Sequence, residues 1–157
     1  MTYLDITIKQ FSHIKKRAEE GLSQLNDEEF FYQPNAASNS AAVILKHLSG
    51  NMHSRWKNFL TEDGEKPSRK RTEEFKYAGE KREFLMQQWE DGWSLLFNTL
   101  KELNGSDLNR TVYLRKQHLS VMEAVQIELS HLSYHLGQIL YIGKLLKNND
   151  WKILSIK

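Results

Sequence analysis

The sequence predicts an all-α protein: a four-helix bundle running up-down-down-up, with a long crossover between its second and third helices. Four segments repeat apolar residues in alternating steps of three and four, the pattern of a helix that buries one face. Pro34 and Pro67 are the only prolines in 157 residues, so little interrupts helical backbone. One aperiodic stretch, 62–78, is much longer than the other connections, and a link of that length can carry the chain back across a bundle. Short links make neighbouring helices antiparallel, so the long one lets the second and third helices run the same way.

The first helix is predicted over 3–25, on Leu4, Ile8, Phe11, Ala18, Leu22 and Leu25. His13 and the run Lys15-Lys16-Arg17 fall mostly off that stripe and read as a solvated face. Residues 26–39 are rich in turn and cap types, and Ser38 or Asn39 is a credible N-cap for the next helix. The second helix, roughly 40–61, has one face of Ala41, Leu45, Met52, Trp56 and Phe59. His47 lies nearly opposite Leu45, among Val43, Gly50, Asn51 and Ser54. That helix is therefore expected to be buried on two sides: a greasy one against the core or a partner subunit, and a roomy one that could wall a pocket. His53 is about 120° round from His47 and reads as a surface or capping histidine.

Within 62–78, Gly64 and Pro67 punctuate the chain, and the cluster Arg69-Lys70-Arg71 is offset by Glu73 and Glu74. An anion-binding loop is the minority reading of that cluster. The third helix, about 79–104, uses Leu85, Trp89, Leu96, Leu100 and Leu103 as its seam, with Trp89 and Trp93 a turn apart as core. Residues 106–118 alternate loosely and suggest extended chain. Ser120 with Glu123 reads as a capping box opening the fourth helix. Beyond Asn148-Asn149-Asp150 the tail Trp151–Ile156 is expected to dock on the core or on another protomer.

Composition narrows the class. Lys and Arg total 22 and Asp and Glu total 20, a net charge of +2. So balanced a chain is not built for nucleic acid or an anionic membrane. Cysteine is absent, which excludes disulfides, thiolate ligands and a cysteine nucleophile, and agrees with a cytoplasmic home. No apolar run approaches membrane-span length, and the N-terminus lacks a signal-peptide core. The length suits one domain, 1–157, with a substantial core.

The fourth helix, roughly 119–147, carries the chemistry. One row is wholly apolar, from Val125 through Leu129, Leu132, Leu136 and Leu140 to Leu146. A second runs Val121, Ala124, Glu128, His131, His135, Gln138, Ile142, Leu145: apolar, then polar for four positions, then apolar again. Polar groups in a buried stripe are costly unless something satisfies them. His131 and His135, at i and i+4, put two imidazoles on one face where they can share a metal ion. The plainer reading is a hydrogen-bonded core pair. His47 on the small-residue face of the second helix shifts the balance toward a three-histidine site, with positions left for water or substrate. Imidazole suits zinc, nickel, iron or copper. Glu128 is a candidate general base, and Glu128 or Gln138 a candidate for orienting a histidine ring. A di-iron carboxylate site is disfavoured, since only Glu128–His131 has the Glu-x-x-His spacing.

These residues resemble the DinB-like (YfiT-like) family of proposed metalloenzymes. The resemblance rests on His47 within Ile44-Leu-Lys-His-Leu-Ser-Gly50 and on the run His131 to Ile139, His-Leu-Ser-Tyr-His-Leu-Gly-Gln-Ile. It extends to an uncharacterised bacterial subfamily through Gly50-Asn-Met-His-Ser-Arg-Trp56, Asp63-Gly-Glu-Lys-Pro67 and the closing Leu154-Ser-Ile156. A proline often follows that closing triplet in the subfamily, whereas Lys157 stands here. The resemblance covers nearly the whole chain. It implies an up-down-down-up bundle, a divalent ion on His47, His131 and His135, and frequent homodimers; the ion expected is zinc or nickel, and the assembly expected is a homodimer. Related members resemble S-transferases, isomerases or hydrolases that use a low-molecular-weight thiol. The function expected is thus a metal-dependent enzyme acting on a small molecule, with a non-catalytic metal-binding or small-molecule-binding bundle as the alternative and a purely structural bundle third.

Overall fold

A computed structural model describes residues 1–154 of the chain, and the protein is mainly helical, as predicted. Four long helices dominate: α1 (Tyr3–Leu22), α3 (Ala41–Trp56), α5 (Arg82–Glu102) and α6 (Val121–Lys147). Two short ones, α2 (Asp27–Phe31) and α4 (Arg71–Glu74), and a hairpin of β1 (Thr111–Leu114) and β2 (Gln117–Ser120) fill the connections.

Three of the four long helices, α1, α3 and α6, start at a side-chain cap. Thr2 with Asp5 and Ser120 with Glu123 form capping boxes, the second as predicted. Ser40, rather than Ser38 or Asn39, caps α3 by accepting from Val43 N at 3.2 Å. α3 ends at Trp56, five residues short of expectation, where Lys57 turns extended and Asn58 takes a φ of 51°. The loose alternation at 106–118 resolves into the hairpin. Its two-residue turn, Arg115-Lys116, lacks the usual Asn-Gly and holds φ of 52° and 64°. The Asp63 carboxylate makes that turn affordable by accepting from Arg115 N at 2.8 Å and Lys116 N at 2.7 Å.

α3 packs chiefly on α5 and α1 on α6, with α1–α5 and α3–α6 contacts joining the pairs. Phe11, Trp56 and Trp93 meet edge to face at the centre, Phe11 lying 6.5 Å from Trp56 and 6.3 Å from Trp93. Contacts advance together along α3 and α5. Gly92 lies against Ser49 and Met52, and two turns on Thr99 Oγ1 donates to Trp56 O at 3.2 Å. The link between them retraces α3 in reverse. Gly64 O accepts from Ser54 Oγ at 2.7 Å, Glu74 reaches His47, and Lys76 O accepts from Lys46 Nζ at 2.8 Å.

Burial and contacts bear on two expectations about contact faces. Leu45, Met52, Trp56 and Phe59 are buried in the chain's own core, so that face offers nothing to a partner subunit. Trp151 docks on the chain's own α1 and α6, where a Cβ at Gly143 would come within 2.6 Å of its ring. Lys152 pairs through its backbone with the Gln24 amide at 2.8 and 3.1 Å. The rest of the predicted tail, 155–157, with the last two residues of the Leu-Ser-Ile triplet, lies outside the described residues.

Candidate metal centre

The site forms where the roomy face of α3 meets the polar stretch of α6. His47, Asn51 and Arg55 recur at four-residue spacing on α3, opposite Glu128, His131 and His135 on α6. His47 and His135 are buried and His131 is half-buried. One potential ligand atom from each of the three histidines lies within 4.8 Å of the others, so the cluster could hold a metal ion. His47 Nε2 and His131 Nε2 are 3.1 Å apart.

The remaining ring nitrogens show what the cluster is arranged for. His47 Nδ1 lies 2.9 Å from Glu74 Oε2, and a carboxylate can only accept, so Nδ1 carries the proton and Nε2 its lone pair. His135 Nδ1 likewise donates to Gln138 Oε1 at 2.7 Å, turning its Nε2 inward, where it is buried without a partner. His131 Nδ1 is also buried without a partner, 4.0 Å from Glu128 Oε2. If His131 donates through Nε2 to His47, a bare Nδ1 lone pair faces a carboxylate. If it carries its proton on Nδ1, facing Glu128, three lone pairs converge. A cation at the convergence resolves the second arrangement, so the donor set fits a divalent ion.

Electrostatics keep the His47 and His135 rings in ligand form. Burial pushes the His135 imidazole down to about 4, and neighbouring His131 adds to the effect. Burial likewise lowers His47, despite its bond to Glu74. Burial on its own would raise the Glu74 carboxyl, but Arg69 and His47 hold it below its usual range. Arg69 grips Glu74 with two bonds, Nε to Oε1 at 2.7 Å and Nη2 to Oε2 at 2.8 Å. Gly50 leaves the room for this, since a Cβ there would lie 2.4 Å from Glu74 Oε1. Phe75 stacks on His47 with centroids 4.4 Å apart, and Tyr134 lies over His135 at 4.3 Å.

Glu128, named from sequence as base or orienter, is fully buried behind His131. Arg55 Nη1 donates to it, and the Asn51 amide nitrogen, turned toward it, lies 3.0 and 3.1 Å from its two oxygens. Burial alone would raise this carboxyl, yet His131 and Arg55 keep it low. Gln138 sits where an orienter should. His53 bonds back to Ser49 O at 3.0 Å, His118 packs on Tyr113 in the hairpin, and His13 is exposed, so none of the three joins the cluster.

Four polar neighbours of the cluster, Glu74, Arg69, Asn51 and Arg55, were given no role in it by the sequence reading. Glu74 and Arg69 come from the link, and nothing local marks them. Asn51 and Arg55 did carry a signal: polar residues four and eight after His47 in a helix buried nearly all round.

The molecule is thus a mainly helical protein with a buried three-histidine cluster able to hold a metal. The chain belongs to the family described as protein of unknown function, DUF1572, whose model matches residues 1–157. No curated protein and no solved structure matches it. Among the described residues no helix is long and apolar enough to cross a membrane.

Proposed function

We propose that this chain is a DinB-like (YfiT-like) metal-dependent protein, an up-down-down-up four-helix bundle holding one divalent ion on His47, His131 and His135. The observation that carries the reading is the set of three histidines with one ring nitrogen each turned to a common point, while the outer nitrogens of His47 and His135 bond Glu74 and Gln138 and that of His131 lies 4.0 Å from Glu128. The bundle course is supported by the joint advance of contacts along α3 and α5. It is also supported by opposed α1–α5 contacts, Lys15 with Glu90 and Phe11 with Trp93. Zinc or nickel is the ion proposed, although imidazole donors suit iron and copper as well.

A divalent ion in such a site acts as a Lewis acid, bringing the pKa of a water or small thiol toward neutrality. The protein's own share is to hold the rings, exclude bulk water and shape the pocket. Glu74 and Gln138 set the tautomers, Gly50 admits Glu74, and Phe75 and Tyr134 wall the cluster. Glu128 serves here as the group that faces His131 Nδ1, because Arg55 and Asn51 occupy its oxygens. The reaction class proposed is transfer or hydrolysis on a small molecule, with a low-molecular-weight thiol as co-substrate. The second reading, a non-catalytic binding protein, is favoured by one feature: the pocket beside the histidines is lined by no carboxylate that could serve as a free base.

Metal content of untagged protein, measured by plasma mass spectrometry, tests the site. Near-stoichiometric metal is expected, and His135→Ala should lose it. Metal-free wild type, or full occupancy in His135→Ala, sinks the reading. Turnover with thiol donors and electrophiles then separates enzyme from binding protein.

A homodimer is proposed as well. The surface proposed for it is a stripe of exposed Ile127, Tyr134, Tyr141 and Leu145 at near-heptad spacing on α6. A monomer by light scattering at micromolar concentration would exclude it.

A further inference from the structure

Beside the histidines opens a pocket of about 500 Å³, the size of a small-molecule site. His47 and His131 contribute to its lining, and three arginines join them from three separate elements: Arg55 from α3, Arg71 from α4, Arg115 from the hairpin turn. Three guanidinium groups around one pocket repel one another unless a negative charge lies between them.

The charges already present supply it only in part, since Arg55 and Arg115 have carboxylate partners and Arg71 has none among the described residues. Glu128 is matched to Arg55, and Glu74 is matched to Arg69 and His47. Glu65 is shared between Arg69 at 3.4 Å and Arg115 at 3.2 Å. Arg71 is exposed and has no ion-pair partner among the described residues. Arg55 is 7% exposed, and its Nε is buried without a hydrogen-bond partner. A buried donor left unpaired costs free energy that a ligand oxygen or an ordered water would recover.

The backbone that carries the two outer arginines is tied to the rest of the fold. Arg115 stands on the turn that Asp63 clamps, and Arg71 begins the helix whose last residue, Glu74, holds His47. Planar forks of this kind match carboxylate and phosphate oxygens two at a time. Nucleic acid is a poor match for a chain of net charge +2.

We propose that this pocket binds a small organic anion, whose carboxylate or phosphate group is held by Arg71 and Arg115 and whose other end faces the histidine cluster. The role of that other end rests on reading the cluster as the reacting centre, but the anion site itself does not.

Calorimetric titration of chelator-treated protein at low salt, with inorganic phosphate and with succinate separately, tests the proposal. Saturable binding of one of them at about 1 mM or tighter is expected. Tighter phosphate marks a phosphoryl group as the natural partner and tighter succinate a carboxylate; either outcome supports the proposal. Arg71→Gln with Arg115→Gln should weaken binding at least about tenfold, the loss of a bidentate charge-assisted contact. Thermal melting and metal content should match wild type. Arg71→Lys should recover part of the affinity, as charge without the fork. Absence of saturable binding by either anion, or equal binding by the double glutamine variant, overturns it. If wild type carries no metal yet the arginine-dependent binding persists, the metal reading falls and the anion site stands.

Discussion

α3 has two buried faces that solve opposite problems. Toward α5 it presents Leu45, Met52 and Trp56, each at most 1% exposed, with Met52 against Gly92 and Trp56 O accepting from Thr99. Toward α6 it presents His47, Asn51 and Arg55 to histidines and a glutamate. The first face gains free energy simply by leaving water, about 25 cal/mol per Å² of apolar surface. The second must desolvate an ion pair and a histidine cluster, which roughly breaks even at best. A helix can carry a costly polar face because its other face is so well packed. Even that face has a flaw, since the indole nitrogens of Trp56 and Trp93 are buried without partners.

The largest effect expected from this division lies on the apolar side. Trp93→Ala should destabilise the fold by about 3–5 kcal/mol through cavity formation, read from urea unfolding. Metal content measured on the remaining folded protein should hold. A cost no greater than that of His135→Ala would abolish the distinction between the faces.

A somewhat smaller loss is expected from breaking the ion pair on the polar side. Glu128→Ala strands the Arg55 charge in a buried setting and should cost about 3 kcal/mol. Replacing both partners, Arg55→Met with Glu128→Leu, should return stability to within about 1 kcal/mol of wild type or above it. A double variant as unstable as the single one would show that the pair supports the fold rather than merely surviving in it.

The two faces were not equally legible in the sequence. The apolar one is periodic, so Leu45, Met52 and Trp56 declare it, as the seam residues do on the other long helices. Burial on the α6 side was also readable, because Glu128, His131, His135 and Gln138 interrupt an apolar row. Their partners were harder to find. Arg55 in a buried helix was a visible anomaly, whereas Glu74 sits in an aperiodic link 27 residues after His47, where spacing carries no geometric information. Gly50 was the one trace of it, a small residue placed a turn from His47, and a missing side chain does not say what fills its space. The Arg115-Lys116 turn was hidden for a related reason: its left-handed backbone is sustained by distant Asp63 rather than by its own residues. Local rules find elements and faces, while contacts made by long links depend on the assembled fold.

The smallest effect sharpens the comparison most, because it tests whether a link residue governs the polar face without supporting the fold. Glu74 holds His47 Nδ1 from outside the cluster, and Gly50 gives Glu74 its room. Glu74→Gln keeps the shape but weakens the acceptor and loses its charge against Arg69. Gly50→Ala puts a methyl 2.4 Å from Glu74 Oε1 and pushes the carboxylate away from the ring. Both should lower metal affinity about 10–100-fold, the usual cost of losing an outer partner of a ligating histidine. In Gly50→Ala the better helix propensity of alanine, about 1 kcal/mol, offsets part of the displaced contact, so its unfolding midpoint should barely move. His53→Ala and His118→Ala are the controls: neither ring touches the cluster, so affinity should stay at the wild-type value. Equal losses in the controls would mean that affinity follows general stability. Unchanged affinity in both Glu74→Gln and Gly50→Ala would mean that His47 needs no help from the link to face its neighbours.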